Sequence, residues 1–449
     1  MNLLTLSWAY FRAKPLNSFL NVLLISLGIG LTSILLLLNN QLKARLYKNI
    51  ENIHLVVGAK GSPLQMILAY VYHIDMPTGN IPLSESFLLT KNPYVERAIP
   101  LALGDSYKEF RIVGTDSNYL GLYDAKIAQG KLFSRDLEAT IGYAVAKKLK
   151  LKLGSSFFGA HGLVADENMH SHEDYPYQVV GILEKTNTVL DQLILVNVSS
   201  VWRVHENHAH DESHDLEILG DSSGMSQTHA HGGHSHSTCT DPTHNHGQKI
   251  NLDSLAPISP EGKEITAYLV QYKRDGQGEV SAMATNMVPK MINDNSEKMG
   301  YAMPPLQLQR LLDMTGVGTQ FLTLLAGLIM FVSALSTFIS LYNSLKERRY
   351  EIALMRVMGA SRFRVFALVV MEGVLSAFLG LIIGLAISHL GMAFLAEQLE
   401  ESYKYEFSGA IFLISELWLA LLALGLGFLA ALLPAFGAYR VDISATLSR

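Results

Sequence analysis

Four stretches of the chain are apolar enough and long enough to cross a bilayer as helices. The uncharged runs are Pro15 to Leu42, Met314 to Leu345, Gly373 to Ala396 and Leu417 to Tyr439. Each reaches the roughly 20 residues that span the hydrocarbon core. The first is too long for the apolar segment of a cleaved signal. It ends in Asn39 and Asn40 with no small-residue cleavage pattern, so it reads as an uncleaved span. Leu42, Leu46, Ile50 and Ile53 then share one helical face, which continues the span as a stalk until Gly58–Pro63 breaks it. Beyond the break, Glu109–Gly114, Tyr177–Leu183, Gln192–Val198 and Glu264–Tyr272 alternate as strands, and Ile141–Leu149 and Ser281–Asn293 have helical spacing. The pattern predicts a membrane protein with four transmembrane α-helices and a large α+β domain between the first and second.

Basic residues set the orientation. Arg12 and Lys14 precede the first span, and the loop between the second and third carries Lys346, Arg348, Arg349, Arg356, Arg362 and Arg364. The loop between the third and fourth is acidic, with Glu397, Glu400, Glu401 and Glu406. The positive-inside rule puts both termini and the basic loop in the cytoplasm. The expected division is 1–42 for the N-terminus and first helix, 43–313 for the external domain with its stalk, and 314–449 for three helices with a cytoplasmic loop at 344–364.

Composition agrees with this layout. Of 449 residues, 49% are hydrophobic and 17% charged, against roughly 25% charged in soluble domains. Mean hydropathy is +0.22. A net charge of −5 offers no basic surplus for nucleic acid, and the single cysteine, Cys239, excludes a disulfide within the chain. No phosphate-binding loop, nucleophile elbow or H-E-x-x-H occurs, so no ATP is bound by this chain and no soluble catalytic site is indicated.

The basic loop holds the most specific motif, KERRYEIALMRVMGASRFRV at 346–365. Ile352, Met355 and Val357–Met358 recur at helical spacing. The helix should stop at Gly359–Ser361, with Ser361 capping the next one. This stretch resembles the E-R-R-x-E-I-x-x-x-R-x-x-G-A-S signature of FtsX-like and MacB-like ABC-transporter permeases, here Glu347, Arg348, Arg349, Glu351, Ile352, Arg356, Gly359, Ala360 and Ser361. The entry WAYFRAKPLNSFLNVLLISLGIGL is similar to that family's first span, and VERAIPLALG through YQVVGILEKTNTVLDQLILV resembles the MacB-like periplasmic core. The resemblance implies a permease in a bacterial inner membrane, working as a homodimer or paired permease. It implies that the signature residues form a coupling helix in a groove of a separate cytosolic ABC ATPase. Glu372, near the cytoplasmic end of the third span, is by default a functional candidate; the preferred reading is an interfacial residue that pairs with an arginine of this loop, since only seven residues separate it from Arg364.

The insertion at 204–250 departs from the family. His205, His208, His210, His214, His229, His231, His234, His236, His244 and His246 crowd there with seven carboxylates. Imidazole is the commonest metal ligand, and a tetrahedral Zn2+ needs about four donors, so zinc is the expected metal, with other divalent metals fitting nearly as well. An inert polar linker and an acid sensor are the competing readings. His161, His170 and His172, among further acids, form a second candidate metal site or an exposed polar loop. The expected function is ATP-driven transport connected with zinc, with a periplasmic metal-binding protein as a further expected partner. The alternative is lipoprotein release or envelope regulation in which the insertion only modulates.

Overall fold

The computed structural model describes residues 3–13, 15–161, 175–206, 258–403 and 407–440. Apart from single turns, the helices are α1 (Leu3–Ala13), α2 (Pro15–Ile50), α3 (Pro63–Tyr70), α4 (Tyr143–Leu149), α5 (Val198–Glu206), α6 (Ala282–Asn295), α7 (Pro304–Glu347), α8 (Arg349–Val357), α9 (Arg362–Tyr403) and α10 (Ile414–Tyr439). One sheet has eleven strands: β1 (Leu55–Ala59), β2 (Val95–Tyr107), β3 (Phe110–Thr115), β4 (Ile127–Gly130), β5 (Glu138–Ile141), β6 (Ser156–Phe157), β7 (Ala160–His161), β8 (Tyr177–Leu183), β9 (Ile194–Asn197), β10 (Ala267–Tyr272) and β11 (Met299–Ala302). The chain forms two compact units, Met1–Ala44 with Leu312–Arg449, and Arg45–Leu311.

In the first unit, α2, α7, α9 and α10 are long and apolar enough to span a membrane. They extend past the uncharged runs, because the charged ends remain helical outside the hydrocarbon. Within lipid, helices gain no hydrophobic advantage from meeting each other, so small residues that allow close packing decide the contacts. On α9, a Cβ at Gly380 would stand 2.5 Å from Ile25 Cγ2, and one at Gly384 would stand 2.8 Å from the Ser26 carbonyl, both on α2. A Cβ at Gly373 would stand 2.6 Å from Ala431 Cβ, and one at Gly427 of α10 would stand 2.4 Å from Ala377 Cβ. The third span thus packs on the first and the fourth through two different small-residue pairs. Ahead of these spans, α1 is a separate helix packed on α9, which periodicity did not anticipate.

The second unit is α+β, as the pattern predicted. Its strand order is β11-β1-β10-β2-β3-β9-β5-β8-β4, with β6 on β8 and β7 on β2. The β9–β3 and β5–β8 pairs are parallel and the others antiparallel. In β8 every second residue from Tyr177 to Leu183 is buried, the half-buried alternation read from the sequence. One expected strand is broken. Glu264–Ile265 pairs with Ile81–Pro82, whereas β10 enters the main sheet. Between them Thr266 is buried, and its hydroxyl accepts from Leu103 N at 2.9 Å. The stalk helix also stops earlier than expected, at Ile50, because Leu55–Ala59 is taken into the sheet as β1.

The last turn of the stalk helix is tied into this unit. Lys48 Nζ donates to Thr186 O at 2.6 Å, Val189 N donates to Asn49 Oδ1 at 2.8 Å, and Tyr72 Oη donates to Leu46 O at 3.0 Å. The receiving loop is braced by Asp191, which accepts from Thr186 N, Thr186 Oγ1 and Asn187 N, all at 2.8 Å.

His73 is buried with a backbone φ of 55°. Its carbonyl accepts from Arg111 Nε at 2.9 Å, and its Nε2 lies 3.1 Å from Tyr119 Oη. Burial, with the Arg111 charge beside it, lowers the His73 pKa to about 3. Only the unfolded chain then takes up the proton near pH 6.5. The stability His73 contributes is therefore full above that pH and is lost as pH falls toward 3. Between pH 7 and pH 5 the loss amounts to about 2 kcal/mol. Chemical denaturation at the two pH values should show wild type losing that much more than His73→Gln; equal losses would refute the assignment.

Candidate functional site

The basic loop folds into a closed hairpin of α8 and the start of α9, and its geometry explains much of the signature. Gly359 has φ +99°, the left-handed conformation that ends helices and favours glycine. Ala360 N donates to Met355 O at 3.0 Å and Gly359 N donates to Arg356 O at 3.1 Å. These are the two bonds of a Schellman motif, and they satisfy carbonyls that the helix end would leave bare. Ser361 then caps α9 as expected, its Oγ accepting from Arg364 N at 3.3 Å.

Other signature residues hold the hairpin to the spans. Ile352 is buried with Leu345, Val365, Val369, Ala435 and Ala438, and Met355 and Ala360 pack against that cluster. Arg348 Nη1 lies 3.6 Å from Glu372 Oε2, and both side chains are largely buried. Glu372 therefore pairs with a loop arginine as expected. The arginine is Arg348, in the turn before α8.

The remaining residues face outward. Arg349, Glu347, Glu351 and Gly359 are exposed, and Arg356 is half-buried. Among them lie large apolar side chains: Tyr350 at 60% exposure, Leu354 at 44%, Val357 at 59% and Met358 at 72%. Val357 and Met358 do not share the Ile352–Met355 face, as their spacing had suggested. The helix ends at Val357, and the turn into Gly359 swings both outward. Sequence reasoning had singled out the charges and missed this apolar surface. Tyr350, Leu354 and Met358 at i, i+4 and i+8 were the signal for it.

A second polar centre also escaped notice. Glu416, in the first turn of α10, is buried and accepts from Ser33 Oγ at 2.7 Å and from Leu413 N at 3.1 Å. Ser33 also meets Ser388 Oγ at 2.7 Å. His389 Nδ1 donates to Gly409 O at 2.6 Å, leaving Nε2 3.3 Å from Glu416 Oε1. First, third and fourth spans are joined here by side chains. Glu416 was overlooked because it lies one residue outside the uncharged run that marks the fourth span.

Of the candidate metal ligands, His205 stands at the end of α5. His208, His210, His214, His229, His231, His234, His236, His244 and His246 lie outside the described residues, as do His170 and His172. His161 is described by its backbone alone, which pairs with Asp105 between β7 and β2. Among the described residues no group of three His, Cys, Asp or Glu converges on one point.

A bundle of membrane-spanning helices, an α+β domain inserted after the first and an amphipathic cytoplasmic-type hairpin define a membrane permease subunit. Residues 18–221 match the MacB-like periplasmic core domain and residues 323–443 the FtsX-like permease C-terminal domain. The chain belongs to the MacB/FtsX-like ABC-transporter permeases, which work with an ABC ATPase partner. Two solved structures are similar to it. The periplasmic region of MacB from Actinobacillus actinomycetemcomitans has 12% identity and a TM-score of 0.33, over 59% of this chain and 97% of that one. The extracellular domain of the noncanonic ABC-type transporter YknZ from Gram-positive bacteria has 13% identity and a TM-score of 0.28, over 55% and 98%. No curated protein matches the chain.

The Arg348–Glu372 pair is open to a direct test. Removing one partner of a largely buried pair takes a favourable contact from the charge that stays. Arg348→Met and Glu372→Gln should each destabilise the detergent-solubilised protein by about 1–3 kcal/mol. The double variant should lose less than the sum, with a coupling of about 1 kcal/mol or more. Strict additivity would show that the pair does not hold the hairpin.

Proposed function

We propose that the protein is the membrane subunit of an ATP-driven, zinc-connected transporter in a bacterial inner membrane, and that α8 is its coupling helix. The observation that carries the coupling reading is the division of α8 into two faces. One is committed to the spans by Ile352 and Arg348. The other leaves Tyr350, Leu354 and Met358 in the open among Arg349 and Glu351. Exposed apolar side chains on a rigid helix, rimmed by charges of both signs, suit a groove on another protein. The cytosolic ATPase of such a transporter supplies that groove, and its movement is passed to the external domain through the stalk, whose last turn is tied down at Lys48 and Asn49. Two copies of the permease, or a pair, face two ATPases in this scheme.

The zinc connection rests on the ten histidines and seven carboxylates between 205 and 246, a stretch without lysine or arginine. Many donors with no competing cation suit the capture of Zn2+. A periplasmic metal-binding protein fits as the source or receiver of the ion.

Two experiments test the reading. Leu354→Asp and Met358→Asp should each weaken association with the cognate ATPase about 30-fold, the loss of about 2 kcal/mol expected for a buried apolar anchor, while zinc stoichiometry stays the same. Undiminished association would remove α8 as the coupling element. Calorimetric titration of the full-length protein should find several zinc equivalents at pH 7 and nearly none at pH 5.5. Protons compete for imidazoles that titrate near pH 6.5, and binding that ignores pH would exclude histidine as the main ligand.

A further inference from the structure

A cavity of about 20 Å³ lies beneath α8, where the hairpin meets the spans. One water molecule, reckoned by the room its centre needs, takes about 10–15 Å³. Three helices wall the cavity: Ser344 and Leu345 stand at the end of α7, Ile352 on α8, and Val369 and Glu372 on α9. Arg348 enters from the turn between α7 and α8. Ser344, Arg348 and Glu372 are the polar members of an otherwise apolar lining.

Ser344 is the informative one. It is 8% exposed, and its hydroxyl has no hydrogen-bond partner among the described residues. Other hydroxyls in these spans turn back onto their own helix. Ser333, Thr337 and Ser376 donate to the carbonyl four residues earlier, at 2.7, 2.9 and 3.0 Å. Ser344 makes no such bond, and its hydroxyl is left on the cavity wall. Native structures rarely keep a buried hydroxyl without a partner, and ordered water is the common remedy.

The ion pair beside it points the same way. Arg348 Nη1 stands 3.6 Å from Glu372 Oε2. An N–H···O bond spans about 2.7–3.2 Å. Polar contacts at the longer separation are often completed by water. Five guanidinium donors and about four carboxylate acceptor positions give both groups capacity for one. Buried waters typically make about three hydrogen bonds, and Ser344, Arg348 and Glu372 supply three partners of both kinds.

We propose that one ordered water occupies this cavity, bound by Ser344, Arg348 and Glu372, and that it forms a hydrated joint between the second span, α8 and the third span. The water site stands on the cavity and the Ser344 hydroxyl; its mechanical role rests on the reading of α8 as the coupling helix. Ile352 seats α8 on the spans through apolar contact, which has no fixed direction. The water keeps Arg348 and Glu372 joined while α8 tilts on that seat. Ser344 is a positioning residue for the pair.

The test is Ser344→Ala in full-length, detergent-solubilised protein. Alanine is the better helix former, and deleting a hydroxyl that lacked any partner would leave the unfolding constant unchanged or lower it. With the water bound, Ser344→Ala should raise that constant about fivefold. In the Arg348→Met background it should raise it about twofold or less, because the bridge is already broken. A cryo-EM map that resolves buried waters should show density among the three side chains. An unchanged or lowered unfolding constant, or a cavity without density in such a map, overturns the water site. Full additivity with Arg348→Met overturns its bridge to the ion pair. For the mechanical role, Ser344→Ala should lower the ATP hydrolysis stimulated by the permease at least about twofold, with association to the ATPase unchanged. Undiminished stimulation overturns the joint. Undiminished association of Leu354→Asp and Met358→Asp defeats the coupling reading and leaves the water site standing.

Discussion

The membrane unit depends on how closely its third span can approach its neighbours. Lipid tails solvate leucine as well as another helix does, so contact must come from shape and polar pairing. Gly380 and Gly384 let α9 lie against Ile25, Ser26 and Ile29 of α2, and Gly373 and Ala377 receive Gly427 and Ala431 of α10. With the backbones this near, short side chains can meet across spans. Ser33, Ser388, His389 and Glu416 do so, and Gln41 exchanges two hydrogen bonds with the backbone of Ser408. A carboxylate such as Glu416 is tolerable there because its neighbours satisfy it.

The same packing supports the cytoplasmic-type hairpin. Leu345, Val365, Val369, Ala435 and Ala438 make a floor for Ile352, and Glu372 meets Arg348 beside it. The signature thus separates into two physical jobs. Arg348, Ile352, Gly359, Ala360 and Ser361 build the hairpin and anchor it. Arg349 and Glu351 share the outer face with Tyr350, Leu354 and Met358. A motif that reads as a string of charges is in large part a folding instruction: a left-handed glycine, a cap, a buried aliphatic residue and one inward arginine.

In the external domain, the sheet brings polar groups together from distant parts of the chain. Asp105 of β2 lies 3.4 Å from His205 of α5. Glycine again makes room, since a Cβ at Gly114 would stand 2.6 Å from Val201 Cγ2 and push α5 off the sheet. The placement of His205 beside Asp105 follows from that close approach.

Much was legible in the chain itself because the bilayer imposes a length and a polarity that linear sequence records directly. Four apolar runs, the α+β domain between the first and second, the half-buried alternation of Tyr177–Leu183 and the Gly359–Ser361 stop needed no knowledge of neighbours. The break at Thr266, the exposure of Val357 and Met358, the partner of Glu372 and the burial of Asp105 and Glu416 needed it. A single aspartate or glutamate carries no periodic signal, and its role is set by groups tens or hundreds of positions away. Local spacing determines which elements form; only the packing of those elements decides which polar side chains are taken out of water and what they meet there.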